Sequence, residues 1–230
     1  MPKSKPTIKQ ILGKQPGKSG GGGGKKPEAA PSPLIIAFSR ETGSGGDLIA
    51  QHVARALHYP IYDHELIQKV AESANTSASV VAAVDEKWRS VMEDWIADWA
   101  NRRRLWLDDY LKHLMKVIGA IAQKGHSVIV GRGANFILSR DDFFRVLRVR
   151  ILAPFDERVA AIAQEKNLSP EEATKYVNRT DADRRAFIRK YFNAAIDDPM
   201  NYDLLINMEK MTIEDAVAII IATAREMEKS

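Results

Sequence analysis

The sequence contains no cysteine, which excludes disulfide bonds, thiolate catalysis and cysteine-ligated zinc sites. No run of eighteen or more apolar residues occurs, so we expect no membrane span. The five histidines have no metal-ligand spacing, and no serine–histidine arrangement for nucleophilic catalysis is recognisable. The amino-terminal lysines are not followed by an apolar stretch, so we expect no secretory signal. These absences predict a cytoplasmic protein without a membrane partner.

The composition predicts one folded domain preceded by a tail. The 230 residues have 45% apolar and 28% charged content, which is typical of a globular protein. The net charge of +4 is uneven, because residues 1–33 contain seven lysines and one glutamate, which leaves −2 for the remainder. Seven glycines and four prolines also fall in residues 13–33, and such a segment cannot bury enough apolar surface to order itself. We predict a disordered basic tail over 1–33 and a folded domain over 34–230.

Short apolar runs alternate with helical patterns, which predicts an α/β fold with a parallel sheet covered on both faces. The predicted strands are Leu34–Ser39, Ile61–Tyr62, Ser127–Val130, Arg145–Leu152 and Leu204–Ile206. Helices are predicted after the first strand, across 64–73 and from Asp156 to about Lys166. Two more begin at the capping residues Ser169 and Thr212.

Residues 76–122 are predicted to be almost entirely helical, as an insertion between two strands. Four large side chains recur there at helical spacing: Trp88, Met92, Trp95 and Trp99. A stripe of this period usually packs in a core, so we interpret these residues as packing rather than base-stacking residues. The stripe could lie in the chain's own core or pair two subunits in a homodimer.

The most informative segment joins the first predicted strand to the next helix and runs from Arg40 to Asp47. Its glycines let backbone N–H groups converge on an anion, and the helix N-terminus adds partial positive charge. A standard phosphate loop has lysine where Gly46 stands, so Arg40 is expected to supply the missing cation. The alternative is a glycine-rich turn without a ligand. The predicted phosphate-binding residues are Arg40, Thr42, Gly43, Ser44, Gly45 and Gly46, with Thr42 and Ser44 as candidate magnesium ligands.

Three further motifs carry candidate site residues. Asp63 follows the second predicted strand, where it either binds a substrate group or caps the next helix. Arg132, between two glycines after the third strand, either lies beside a bound phosphate or is an exposed turn residue. The basic stretch 178–190 is either a solvated helix face or a lid that closes arginines over a transferring phosphoryl group. Its candidate catalytic residues are Arg179, Asp183, Arg184 and Arg185, and Asp181 could orient the arginines.

In their order along residues 34–222, these motifs resemble the cytidylate-kinase-like family of nucleoside monophosphate kinase relatives. The motifs are Ser39-Arg40-Glu41, Gly43-Ser-Gly-Gly46, Tyr62-Asp63, Gly131-Arg-Gly-Ala-Asn135 and Asp181-Ala-Asp-Arg-Arg185. The resemblance implies a P-loop NTPase-like fold with an arginine-rich lid. It also implies transfer of a phosphoryl group from ATP to CMP or dCMP, with Mg²⁺ as a cofactor. Arg40 and the loop amides would hold the donor, whereas Asp63 and Arg132 would hold the acceptor nucleotide.

Two other functions remain open. Cytidylate kinases have a lysine where Gly46 stands and an aspartate where Gly133 stands, and Asp47 adds a negative charge to the loop. Gly46 and Asp47 are the basis of the first alternative, a nucleotide-binding regulator without efficient phosphoryl transfer. Nucleic-acid binding through the lysine tail ranks last, because the tail has neither aromatic residues nor a folded surface that could contact bases.

Overall fold

The structure is a computed structural model that describes residues 33–72, 79, 86–103, 108–138 and 144–229. The predicted tail, apart from Pro33, lies outside the described residues. The same holds for parts of the predicted helical region 76–122. Predictions on those residues stay predictions.

Five strands form a single sheet in the described part of the chain. They are β1 (Leu34–Arg40), β2 (Ile61–Tyr62), β3 (Ser127–Val130), β4 (Arg145–Leu152) and β5 (Leu204–Asn207). All neighbouring pairs are parallel, in the order β2-β3-β1-β4-β5. β1 is buried at every position, as expected for a central parallel strand covered on both faces. The predicted parallel sheet and all five of its predicted strands are confirmed.

Eight α-helices are described around this sheet. They are α1 (Gly46–Leu57), α2 (His64–Glu72), α3 (Glu86–Arg103), α4 (Asp109–Lys124), α5 (Ala134–Ile137), α6 (Phe155–Lys166), α7 (Pro170–Phe192) and α8 (Ile213–Lys229). The capping box predicted at Ser169 is present, and Thr212 and Asp215 cap α8 reciprocally. Among the described helices, none combines the length and apolar character that a membrane span requires.

The side chains of β1 alternate between two hydrophobic cores. Ile35 and Ala37 pack with residues of α2, α3, α4 and α5 on one face, whereas Ile36 and Phe38 pack with α1 and α8 on the other. This alternation follows from the two-residue period of a strand. The sheet therefore has helices on both faces, as the sequence predicts.

The aromatic stripe of α3 belongs to the chain's own core. Met92, Trp95 and Trp99 are each at most 3% exposed. The ring of Trp99 meets that of Phe192 edge-on at 5.9 Å between centroids. The packing interpretation is confirmed for these three residues, while the side chain of Trp88 lies outside the description. A homodimer stays a prediction, and it would have to use other surfaces than these buried side chains.

The predicted lid residues lie within the single long helix α7. Its first half packs on α6 through a small apolar cluster that includes Ile162, Ala173 and Val177. Its second half reaches the main core through Ile188 and Phe192. Both ends of α7 are therefore anchored by apolar contacts, and its middle turns pass the loop that follows β1.

Candidate functional site

The loop between β1 and α1 turns on two glycines in the left-handed region. Gly43 has φ of 81° and Gly45 has φ of 78°, a conformation that other residues rarely adopt. A Cβ on Gly43 would also lie 2.4 Å from the carbonyl oxygen of Arg158. Backbone conformation and packing therefore both require glycine at position 43.

Most backbone N–H groups of this loop have no acceptor within the described part of the chain. The unpaired groups belong to Gly43, Gly45, Gly46, Asp47 and Leu48. Ser44 differs, since its N–H donates to the carbonyl oxygen of Glu41 at 3.3 Å. Unpaired N–H groups at a glycine turn and a helix N-terminus form a site that suits an anion.

Arg40 brings a cation to the same loop from the end of β1. Its side chain is 5% exposed, and its guanidinium lies 3.1 Å from a carboxylate oxygen of Asp47. A Cβ on Gly46 would lie only 2.5 Å from the Cβ of Arg40. A lysine at position 46 would therefore collide with Arg40, so position 46 must remain small, and the cationic side chain beside this loop belongs to the last residue of β1.

A cavity of about 320 Å³ opens beside this loop, between the carboxyl ends of β1 and β3 and the middle of α7. It gathers residues that are distant in the chain, from Ser39 to Ile196. Ligands of parallel α/β sheets bind at this edge, outside the carboxyl ends of the strands. Four of the predicted site residues line the cavity: Arg40, Arg132, Asp183 and Arg184.

The cavity is strongly positive. Burial, together with the nearby charge of Arg40, lowers the pKa of Arg184 to about 10, which leaves that guanidinium charged at neutral pH. Burial also lowers the pKa of His64, and the charges of Arg40 and Arg132 lower it further. Like charges held this close favour a bound anion, because an anion relieves their repulsion.

Arg132 reaches the cavity from a strained turn. Gly131, Arg132 and Gly133 have φ of 79°, 52° and 68°. The Arg132 guanidinium donates to the side-chain oxygen of Gln68 and lies 5.7 Å from the centroid of the Phe187 ring. A Cβ on Gly133 would lie 2.4 Å from the ring of Phe192, so this position has no room for an aspartate.

Asp181 anchors the loop from α7. One of its carboxylate oxygens accepts from the backbone N–H and the hydroxyl of Thr42, at 3.0 and 2.7 Å. The other accepts from the Arg158 guanidinium at 2.6 Å. Burial alone would raise the pKa of Asp181, but the hydrogen bonds from Thr42 and Arg158 outweigh it, so the pKa is lowered. The carboxylate also lies 3.8 Å from Arg184, in agreement with an orienting ion pair.

The predicted loop residues 42–46 do not line the cavity, and neither do three predicted site residues outside the loop. Asp63 caps α2 by accepting from the N–H of Leu66 at 2.9 Å. Arg185 is exposed and pairs with Asp197 at 3.1 Å. Arg179 is exposed on α7. The functional roles of all three stay predictions.

The two candidate magnesium ligands differ in how they are engaged. The hydroxyl of Thr42 donates to Asp181 and accepts from Arg184 at 3.0 Å, so its proton and one of its two lone pairs are engaged. The hydroxyl of Ser44 donates to the carbonyl oxygen of Glu41 at 2.9 Å and keeps its lone pairs. No cluster of three metal-ligating side chains occurs among the described residues. These residues fit a Mg²⁺ ion carried mainly by phosphate and water oxygens, with Ser44 or Asp47 as a protein ligand.

Two polar residues that line the cavity, His64 and Asn135, are not among the predicted site residues. His64 follows Asp63 after the end of β2. This position at the carboxyl edge of the sheet is the sequence feature that could have predicted its place in the cavity. Asn135 is the last residue of the Gly131–Asn135 motif, in which only Arg132 was assigned a role. Local sequence could not show that either side chain faces the ligand side of its helix.

The chain is similar to proteins named as cytidylate kinases. A family model described as the cytidylate kinase-like family matches residues 35–210. A cytidylate kinase of Methanothrix thermoacetophila is 23% identical over 196 residues, which are 84% of this chain and 99% of that protein. A cytidylate kinase of Methanocaldococcus jannaschii is 26% identical over 109 residues, 47% of this chain and 61% of that protein. The crystal structure of an uncharacterized protein from Eubacterium ventriosum matches with a TM-score of 0.67 and 25% identity, over 84% of this chain and 98% of that one.

Proposed function

The chain belongs to the cytidylate kinase-like family, and on that premise we propose that it is an ATP-dependent nucleoside monophosphate kinase acting on CMP or dCMP. One observation carries the proposal. The loop after β1 carries unpaired amides, and the guanidinium groups of Arg40, Arg132 and Arg184 line a cavity at the same carboxyl edge of the sheet. This combination suits two phosphorylated ligands placed end to end.

The donor side of the site is the glycine loop. The unpaired N–H groups from Gly43 to Leu48 would cradle the donor phosphates of ATP. Arg40 would provide the positive charge that a loop lysine provides elsewhere, with a planar fork that suits phosphate oxygens. It must exchange its bond to Asp47 for one to phosphate, and this exchange costs part of the binding free energy.

The acceptor side is the wall that carries Arg132. Its guanidinium would bind the phosphate of the nucleoside monophosphate, while the bond to Gln68 holds its direction. Asp63 would act indirectly on this wall, because it caps α2, which carries both His64 and Gln68.

Phosphoryl transfer itself requires position and charge rather than covalent chemistry from the protein. Arg184 is tied to the loop through the carbonyl oxygen of Arg40 at 2.9 Å and the hydroxyl of Thr42, and it also lines the cavity. It would therefore stabilise the charge of the transferring group. A bound Mg²⁺ supplies further neutralisation of the phosphate oxygens. Asp183 would orient this group of arginines, and Arg179 and Arg185 would join it only by moving toward the cavity.

A nucleotide-binding regulator without efficient transfer is the second candidate. The observation that favours it is the ion pair between Asp47 and Arg40. The Asp47 carboxylate accepts hydrogen bonds from the Arg40 guanidinium, in a loop that has no lysine. Such a loop would bind a nucleotide weakly and would stabilise less of the charge that develops during transfer.

The test combines binding and turnover on the full chain. Titration calorimetry with ATP, CMP and dCMP measures binding, and coupled assays with Mg²⁺ measure phosphoryl transfer to a panel of nucleoside monophosphates. We expect turnover with CMP or dCMP and a loss of about 100-fold or more in kcat for Arg184→Met, as for other groups that stabilise developing charge. Arg55→Met, an exposed change on α1, is the matched control. Binding without turnover would favour the regulator, and the absence of any nucleotide binding would overturn both candidates.

A further inference from the structure

Arg40 lines the cavity with one of its guanidinium nitrogens unpaired. Its Nε donates to the Asp47 carboxylate at 3.1 and 3.2 Å, and its Nη2 lies 3.1 Å from that carboxylate and 3.3 Å from Nδ1 of His64. Nη1 has no acceptor among the described residues, although the side chain is only 5% exposed. The fully enclosed unpaired side-chain atoms of the described chain belong to three other residues, so Nη1 retains accessible surface.

The position of Nη1 is at the cavity wall. A Cβ on Gly131 would lie 3.0 Å from Nη1 of Arg40, and both residues line the cavity. A charged donor that is held in a buried side chain and lacks an acceptor is costly unless a ligand or water completes it. An anion in the cavity would therefore complete the hydrogen bonding of Arg40.

The contact with Arg40 determines which ring nitrogen of His64 carries the proton. A guanidinium has only donors, so Nδ1 of His64 is the acceptor of this bond. In a neutral imidazole the other nitrogen then carries the hydrogen, which makes His64 the Nε2–H tautomer. The ring is neutral at pH 8, because burial and the charges of Arg40 and Arg132 lower its pKa from the ordinary value of 6.5.

The two hydrogen bonds of the Arg40 guanidinium differ in what an anion does to them. Asp47 is 58% exposed and negatively charged, so a bound anion competes with it for the guanidinium. His64 is neutral, so it neither cancels the charge of Arg40 nor repels an anion. When an anion displaces Asp47, Nδ1 of His64 is the remaining acceptor of the guanidinium within the described chain.

The backbone of the same residue contacts a second arginine of the cavity. The carbonyl oxygen of His64 accepts from Nε of Arg132 at 3.4 Å, and the other end of that guanidinium donates to Gln68. Arg132 therefore uses the main chain at position 64, whereas Arg40 uses the side chain. A substitution of the side chain removes the contact with Arg40 and leaves the carbonyl oxygen in place.

Resting on the proposed function for the identity of the anion as a phosphate, we propose that His64 is a positioning residue for Arg40. Its neutral Nε2–H imidazole accepts from Nη2 and thereby presents Nη1 to a phosphate group in the cavity. A cation that is already held in place loses less freedom when the ligand binds. Affinity for phosphate should therefore depend on an acceptor atom at this place, and the imidazole itself needs no contact with the ligand.

The experiment measures binding of inorganic pyrophosphate to the full chain by titration calorimetry at pH 8, with two substitutions of similar size. His64→Leu removes the acceptor and should weaken binding by about threefold to tenfold, as expected for one lost hydrogen bond. His64→Asn offers an amide oxygen close to the place of Nδ1 and should bind within about twofold of the unmodified chain. His52→Leu, the same change on α1 outside the cavity, is the matched control.

Nitrogen-15 spectra test the bond without a substitution at position 64, so they decide the matter if neither variant folds. In the unmodified chain at pH 8, Nδ1 of His64 should give the resonance of an unprotonated ring nitrogen. The same resonance should shift in Arg40→Met, which removes the donor.

Three results would overturn the inference. The first is a protonated Nδ1 of His64 at pH 8, or an Nδ1 resonance that Arg40→Met leaves unchanged. The second is an equal effect of His64→Leu and His64→Asn on pyrophosphate binding, whether both weaken it or neither does. The third is an unmodified chain that does not bind pyrophosphate. Failure of the kinase proposal would instead be the absence of nucleotide binding or turnover while pyrophosphate still binds, so the two failures are distinguishable.

Discussion

One carboxylate oxygen of Asp181 accepts hydrogen bonds from both the backbone N–H and the hydroxyl of Thr42, a residue 139 positions earlier in the chain. The bond fixes the first half of the glycine loop, while the N–H groups of its second half stay unpaired in the described chain. The same contact connects the loop to α7, which carries Asp183 and Arg184. The glycine loop and α7 are therefore held in one arrangement by this contact.

The first prediction concerns this bond. Asp181→Asn should lower the free energy of unfolding by about 1.5–3 kcal/mol, because it removes the charge that accepts from the buried Arg158 guanidinium, which keeps only Glu41 at 3.4 Å as a counter-charge. Urea denaturation at pH 7 measures the change. Asp156→Asn, an exposed aspartate on α6, should change stability by less than about 0.5 kcal/mol. An equal small effect of both variants would contradict the anchoring role of Asp181.

A second prediction follows from the lowered pKa of Asp181. The stability that this carboxylate contributes is fully present above its unfolded pKa of about 3.9 and is lost as the pH falls through its lower folded pKa. The stability difference between the unmodified chain and Asp181→Asn should therefore be constant from pH 7 to about pH 5 and should shrink below about pH 4. Denaturation curves between pH 3 and pH 7 test this, and a difference that grows on acidification would refute it.

The third prediction concerns the carboxylate of Asp47. This side chain is 58% exposed and lies beside both Arg40 and the unpaired loop amides. Asp47→Asn should tighten binding of ATP by a few-fold, since a charge pair near water is worth about 1 kcal/mol. Titration calorimetry without Mg²⁺ measures the change, and Asp109→Asn in the first turn of α4 is the control. Weaker binding of metal-free ATP by Asp47→Asn would show that the carboxylate supports the site instead.

The fourth prediction concerns His64. Its pKa lies below the ordinary value of about 6.5, because burial and the charges of Arg40 and Arg132 oppose protonation. The folded state thus binds a proton less readily than the unfolded state, and stability falls as the pH drops below about 6.5. A bound phosphate should raise the pKa of His64 by supplying negative charge. NMR titration of the imidazole with and without ATP tests the direction, with the His52 resonance as reference, and an unchanged or lower midpoint would argue against a phosphate in the cavity.

The fifth prediction concerns the two glycines that depart from the cytidylate kinase pattern. Gly46→Lys and Gly133→Asp should each destabilise the chain by about 1–3 kcal/mol, because neither position has room for a Cβ. At Gly133 the left-handed backbone adds about 1–2 kcal/mol. Thermal unfolding measures both, and Gly45→Ala separates the two causes, because Gly45 has a left-handed φ but no atom within 4 Å of its Cβ position. Gain of activity by Gly46→Lys without loss of stability would contradict this account.

The fold could be predicted from the sequence because its signals are local. The apolar run of β1, the alternation of strands with helices and the capping box at Ser169 each depend on residues a few positions apart. The packing role of Trp95 and Trp99 followed in the same way from helical spacing. These features are decided by side-chain period and by hydrogen bonds between near neighbours.

The site could be predicted only in part. Arg40, Arg132 and Arg184 were identified by their type and by their position after strands or in the basic helix. His64 and Asn135 were missed, and Asp63 and Arg185 were expected in a site whose cavity they do not line. Which face of a helix meets a cavity depends on how distant elements dock.

The amino-acid order alone determined the parallel sheet, the glycine turn after β1 and the presence of arginines after the strands and in α7. Only the folded chain decided that Arg40 fills the space that a lysine at position 46 would need, and that Asp181 holds Thr42. The physical reason is that excluded volume and the pairing of buried charges act between atoms brought close in space. Their separation along the chain has no bearing on either.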